Sequence, residues 1–176
     1  MKTSIYIGTS LDGFIARKDG NIDWLVKFEN PEVFKSYGEF ISKIDAIVMG
    51  RGTFEKVLSF PSWPYEKKVF VLSNSIKQVP DKLKAKVKLL SMKPGELLNH
   101  LSKEGFSNFY IDGGNVIQSF LKEDLIDEMI ITRVPELIGS GISLFSEIPC
   151  DLSFKLINST IFSNGLVMSH YKREKK

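Results

Sequence analysis

Three short stretches carry residue types suited to binding anions: Gly50-Arg51-Gly52-Thr53, Ser73-Asn74-Ser75 and Asp112-Gly113-Gly114-Asn115. A glycine has no Cβ, so a ligand can approach the backbone closely, and the first N–H groups of a helix point outward without intrahelical partners. The helix dipole adds partial positive charge at that end, which makes phosphate the usual guest. Arg51 adds a guanidinium, Ser73 and Ser75 hydroxyls, and Asn74 an amide. A pair of glycines by itself reads equally well as a tight turn between a strand and a helix. Three such junctions in one chain suit a larger ligand with several phosphates, such as a dinucleotide.

Each stretch follows an apolar run, 46–49, 69–72 or 109–111, too uniformly apolar for a sheet covered on one side only. Further strands are expected at 4–7 and 128–134, with a short apolar return at 14–16. Helical spacing runs through Val33, Phe34, Tyr37, Phe40, Ile41 and Ile44 after Pro31, and through Leu97, Leu98 and Leu101 after Pro94. Residues 135–145 read as a glycine-bearing loop. Near the end, 154–162 and 166–171 are joined by Ser163-Asn164-Gly165, a hairpin signal. Alternating strands and helices predict one α/β domain over 1–176, with a mostly parallel central sheet flanked by helices and closed by an antiparallel C-terminal hairpin. Ligands of such sheets bind at the carboxyl ends of the strands, where all three stretches fall.

The chain has 176 residues, 43% of them hydrophobic, enough for one buried core. No apolar run reaches the ~18 residues of a membrane span, and the first residues lead into a strand pattern instead of a signal peptide, so a cytoplasmic protein is expected. The single cysteine, Cys150, excludes an internal disulfide and reads as an ordinary partly buried thiol. His100 and His170 are far apart in the pattern, and nothing suggests a metal site. The net charge of +3 is concentrated in Lys172, Arg173, Lys175 and Lys176, read as a frayed, solvated tail. In 82–90 lysines alternate with apolar residues, as on a half-exposed edge strand, and no nucleic-acid motif accompanies them.

In order and spacing, Met49-Gly50-Arg51-Gly52-Thr53-Phe54-Glu55, Val71-Leu72-Ser73-Asn74, Ile111-Asp112-Gly113-Gly114 with Phe120-Leu121, and Ile131-Thr132 resemble dihydrofolate reductase over nearly the whole chain. Ser10-Leu11-Asp12-Gly13, Leu125-Ile126-Asp127-Glu128 and the 135–145 segment are more similar to the reductase domain of bacterial riboflavin-biosynthesis proteins, the RibD C-terminal type, and especially to its stand-alone members. The resemblance implies NADPH as cofactor. It puts Arg51 at the adenosine 2′-phosphate, where a bidentate guanidinium tells NADPH from NADH, with Leu72, Ser73 and Asn74 beside it. Gly50, Gly52 and Thr53 match one pyrophosphate-side turn, and Asp112, Gly113, Gly114, Asn115 and Val116 match the other. Gly8, Ile15 and Ala16 fall where the family holds the nicotinamide. Relatives in the riboflavin group pair as dimers, which implies a homodimer.

On the substrate side the resemblance implies an acid on the first long helix and a threonine that bonds it. Thr132 matches the threonine. Counting back from Gly50-Arg51 reaches Phe34, counting forward from Trp24 reaches Glu29, and Glu32 lies between. Both glutamates also read as ordinary solvated carboxylates. Asp12, in the Ser-Leu-Asp-Gly turn, is a candidate polar contact at the mouth of the nicotinamide pocket or simply a turn former. Trp24 matches a tryptophan over the active site or a core residue. The expected catalytic residues are therefore Asp12 and Thr132, and the expected substrate contacts Trp24, Glu32 and Phe34. The expected function is an NADPH-dependent reductase acting on a C=N or C=O group of a small heterocyclic or sugar-like substrate. One alternative is the riboflavin-pathway reductase acting on a ribosylaminopyrimidine phosphate, with Arg17 or Arg133 at a second phosphate site. Another is a non-catalytic NADPH-binding sensor.

Overall fold

The computed structural model describes residues 1–175. Strand β1, Lys2–Thr9, lies between two parallel neighbours inside the sheet. It is followed by β2 (Phe14–Ala16), α1 (Asp23–Val26) and α2 (Pro31–Ser42), and then by β3 (Ala46–Gly50), α3 (Arg51–Leu58) and β4 (Lys68–Leu72). The chain continues through β5 (Val87–Leu90), α4 (Pro94–Lys103), β6 (Asn108–Asp112), α5 (Gly114–Lys122) and β7 (Glu128–Arg133). It closes with β8 (Ile142–Ser143), β9 (Phe154–Ile161) and β10 (Val167–Arg173). The main sheet has the order β5-β4-β3-β6-β1-β7-β10-β9, parallel except for the terminal hairpin; β2 and β8 form a separate two-stranded ribbon.

The strands are buried on both faces because helices cover both. Ala46 through Met49 are all 0% exposed. Their period-two alternation sends Val48, with Ile5, Phe70 and Ile111, toward Leu97, Leu101, Ile117 and Phe120 of α4 and α5. Ile47 and Met49, with Tyr6, Val69 and Tyr110, face Phe40, Ile44 and Phe54 on the side of α2 and α3. A third cluster, Trp24, Val134, Phe162 and Leu166, fills the space behind the hairpin.

Four expectations need correction. Only Val87–Leu90 of the lysine-alternating segment is a strand, at the sheet edge, because Pro80 turns Asp81–Leu83 into a 3-10 turn. The loop over 135–145 contains β8. The basic tail is not frayed at Lys172 and Arg173, which continue β10; Arg173 Nε donates to Asp124 at 2.7 Å, and Lys175 Nζ to Asp127 at 2.8 Å. Lys176 lies outside the described residues. Cys150 is exposed. Among the described residues no helix is long and apolar enough to cross a membrane, and no group of three metal-ligating side chains occurs.

Candidate cofactor and substrate cleft

A cleft of about 760 Å³ lies across the carboxyl ends of β4, β3, β6 and β1. Those ends span three interstrand spacings, roughly 14 Å. At one extreme stand Arg51, Leu72, Ser73, Asn74 and Ser91; at the other stand Gly8, Ile15, Ala16, Leu25 and Ile142. Between them lie Gly50, Gly52 and Thr53 at the start of α3, and Asp112, Gly113, Gly114, Asn115 and Val116 at the start of α5. Every cofactor-binding residue expected from the sequence thus lines one cleft.

The helix starts differ in a way that concerns ligands. Outside the cleft, α2 is capped: Asn30 Oδ1 accepts from Glu32 N at 2.8 Å and Val33 N at 3.4 Å. Inside it, α3 begins at Gly50 and α5 at Gly113, and neither has a side-chain cap. Their first N–H groups are left for an external acceptor. The two turns interlock. Gly113 has φ 88°, and a Cβ there would sit 2.1 Å from Thr53 Oγ1; a Cβ on Gly114 would sit 2.9 Å from Ile142 Cγ2. Gly52 faces open space. Arg51 is 58% exposed at its side chain, with Nε only 3.9 Å from Glu55 Oε1, so its guanidinium is loosely held. Ser73 Oγ accepts from Ser75 N and Ile76 N, both at 3.1 Å, which fixes the turn beside it.

One wall, on the side of α2 and α3, is phenolic and acidic. Tyr6, Tyr65, Tyr110, Val57, Phe60 and Asp112 line it, with Lys56 beside them. Tyr65 Oη donates to Asp112 Oδ2 at 3.4 Å, and Tyr110 Oη donates to the Tyr6 carbonyl at 3.0 Å. Burial pushes the half-buried Asp112 carboxyl up to about 6, only partly offset by the Gly113 N–H and the Tyr65 hydroxyl. Burial, and then the Asp112 charge, holds the Tyr65 and Tyr110 phenols protonated far above the neutral range.

The residues expected to be catalytic or to touch substrate lie outside the cleft lining. Glu32 and Phe34 are on the solvent side of the first turn of α2, with Phe34 59% exposed. The helix turns Tyr37 and Phe40 inward instead. Trp24 is 0% exposed within the third apolar cluster, so the core alternative holds for its ring. Thr132 is buried on β7, in register with Gly8 on β1. Among the described residues Trp24 Nε1 and Thr132 Oγ1 have no hydrogen-bond partner, and Leu25, next to Trp24, packs against Gly8. The uncapped helix starts, which do line the cleft, fit a polar ligand there.

Asp12 is committed elsewhere: its carboxylate accepts from Ser10 Oγ at 2.5 Å, Gly139 N at 2.7 Å and Ile138 N at 3.3 Å. Arg17 pairs with Asp23 at 2.6 Å, and Arg133 is exposed away from the cleft. Sequence reasoning missed Tyr65, Tyr110 and Lys56. Tyr110 and Asp112 are two apart on β6 and share a face, and Lys56 and Val57 continue the α3 face that begins at Thr53, so the signal was spacing.

The RibD C-terminal domain family matches residues 4–168. YwjB, an uncharacterised protein of Bacillus subtilis (strain 168), is 39% identical over 176 residues and covers 98% of each chain. A crystal structure of a candidate riboflavin biosynthesis protein from Shewanella sp. PV-4 superposes with a TM-score of 0.94 at 46% identity, covering 99% of this chain and 100% of that one. Dihydrofolate reductase from Enterococcus faecalis, solved with NADP(H), shares the fold at a TM-score of 0.71 and 17% identity, covering 99% and 97%. The chain therefore belongs to the RibD C-terminal domain family.

Proposed function

We propose that the protein is an NADPH-dependent reductase acting on a C=N or C=O group of a small heterocyclic or sugar-like substrate. One observation carries this reading: two uncapped helix starts, with Arg51, Ser73 and Asn74, share a single cleft that runs from β4 to β1. The dinucleotide, when bound, supplies the hydride. Arg51 gives the guanidinium that favours a 2′-phosphate, and the first N–H groups of α3 and α5 give donors for the pyrophosphate. Reduction of C=N or C=O also needs a proton at the heteroatom. Asp112, on the phenolic wall of the cleft with a carboxyl pushed up to about 6, is one group there able to hold and release a proton near neutrality; water is the other source. Tyr65 keeps that carboxyl oriented through its hydroxyl.

A second reading, a riboflavin-pathway substrate bearing a phosphate, is favoured by Lys56. It lines the cleft beside the phenolic wall and forms no ion pair among the described residues. Turnover with and without a substrate phosphate separates the two readings, and binding without any turnover would indicate a sensor.

The test of the cofactor assignment is titration of NADPH and NADH by nicotinamide fluorescence. NADPH should bind at least about 10-fold tighter, and Arg51→Ala should abolish the preference, as expected for loss of one charge-assisted contact. Absence of binding by either cofactor would sink the proposal.

A further inference from the structure

The nicotinamide-side wall of the cleft is supplied by β2 and β8, strands of three and two residues that are too short to hold together alone. They come from distant parts of the chain, yet they pair across a bulge, Phe14 with Ser143 and Ala16 with Ile142. The ribbon is pinned at two points near its Phe14–Ser143 pair. At one of them, the Asp12 carboxylate gathers Ser10 Oγ, Ile138 N and Gly139 N, tying the turn before β2 to the loop before β8. Leu11 N donates to the Glu136 carbonyl at 2.8 Å, and Leu144 N to the Gly13 carbonyl at 3.0 Å, in the same junction. On the side of α5, beside the Phe14–Ser143 pair, Gln118 Nε2 donates to the Ser143 carbonyl at 2.8 Å. The contact is close throughout: a Cβ on Gly141 would lie 2.2 Å from the Ala16 carbonyl oxygen.

Of these pins only Asp12 brings a charge, and charge-assisted bonds to backbone N–H groups are the stronger kind. Asp12 does not itself line the cleft, so it acts through Ile15, Ala16 and Ile142, which do. We propose that Asp12 is a positioning residue, which with Gln118 fixes the β2–β8 ribbon against α5 and so builds the seat for the nicotinamide. The inference rests on the NADPH reading given above.

The experiment compares two ligands by fluorescence and calorimetric titration: NADPH, and adenosine 2′,5′-bisphosphate, which reaches the Arg51 end but has no nicotinamide. Wild type, Asp12→Asn and Gln118→Leu are measured side by side. Each variant should bind NADPH roughly 10-fold more weakly while holding the bisphosphate within about twofold of wild type, as expected for loss of one strong hydrogen bond. Bound NADPH should also emit closer to free cofactor in the variants. Retained bisphosphate binding reports an intact fold, and Gln118→Leu tests the ribbon at its other pin should Asp12→Asn fail to fold. Equal weakening of both ligands, or of neither, overturns the inference alone. A wild-type protein that binds neither ligand overturns the cofactor reading, and the inference falls with it.

Discussion

At the amino ends of β1, β3 and β7, carboxylates meet donors from their own chain, whereas at the carboxyl ends of β3 and β6 backbone donors face a cleft. Asp45 accepts from Ser107 N at 2.9 Å and Asn108 N at 2.8 Å. Asp127 accepts from Thr3 N at 3.0 Å. Glu128 gathers Lys2 Nζ at 2.5 Å, His170 Nε2 at 2.5 Å and Ser4 Oγ at 3.2 Å. The backbone N–H groups of Ser107 and Asn108 hold Asp45 below its usual value; burial opposes the same effect at Glu128, but Lys2 and His170 outweigh it. Asp112 at the other end is shifted upward by burial, with too few donors to offset it. The lesson is that polar groups closed on one another hold a fold together, while polar groups left open at the strand ends are available to a ligand.

The largest expected effect lies at the closed end. Glu128→Ala leaves Lys2, His170 and Ser4 without their shared acceptor, whose side chain is only 14% exposed. Because Lys2 stays 53% and His170 31% exposed and both can be solvated, the loss should be about 1–2 kcal/mol, lowering the thermal midpoint by roughly 5 °C, with NADPH affinity unchanged. A depressed carboxyl contributes its stability above its unfolded value, ~4.3, and loses it as pH falls through the lower folded value. The difference between variant and wild type should therefore shrink in melts below about pH 4. A variant as stable as wild type at pH 7, or one that lost cofactor binding, would break the contrast between the ends.

How much of this was legible depended on distance along the chain. The glycine turns that line the cleft could be read because glycine, arginine and helix start are neighbours, and the fold because apolar runs and helical spacing are local patterns. The hairpin at Asn164-Gly165 was legible for the same reason. The role of Asp12 was not, because its partners Ile138 and Gly139 lie more than a hundred residues away and bond through backbone N–H groups that any residue carries. Strand β8, two residues long, leaves no periodicity. Asp112 was assigned to the cofactor because glycines follow it; its acidity depends on Tyr65 from a separate loop and on burial that no local pattern encodes. Alternation in 82–90 suggests a full strand, but the successive turns over 81–86 take five of its nine residues.

At the open end, Asp112→Asn should move stability in the opposite direction from Glu128→Ala. A raised carboxyl favours the fold most while protonated. Its contribution is full below the unfolded value near ~3.9 and is lost as pH rises through about 6. Asparagine keeps an acceptor for Tyr65 without the buried charge. The variant should match wild type in melts at pH 4 and exceed it at pH 8, by no more than about 1 kcal/mol because the carboxyl is partly exposed. Its turnover with any accepted substrate should fall and lose the inflection near pH 6. A destabilised variant at pH 8 would mean that Asp112 belongs to a closed network after all.

The smallest effect is the finest probe. Thr132 Oγ1 is buried and has no partner among the described residues, unlike the carboxylates of Asp45, Asp127 and Glu128 at the closed end. Replacing a satisfied hydroxyl by a methyl usually costs about 1 kcal/mol, but an orphaned one carries only its desolvation penalty. Thr132→Val should therefore leave the midpoint unchanged or raise it by a few tenths of a kcal/mol, roughly 1 °C. If the hydroxyl serves whatever occupies the Gly8 end, the same variant should weaken substrate binding in the presence of NADPH while leaving affinity for NADPH alone unchanged. Loss of stability without loss of binding would instead assign Thr132 to the architecture of β7 and shift the boundary between the two regions toward the cleft.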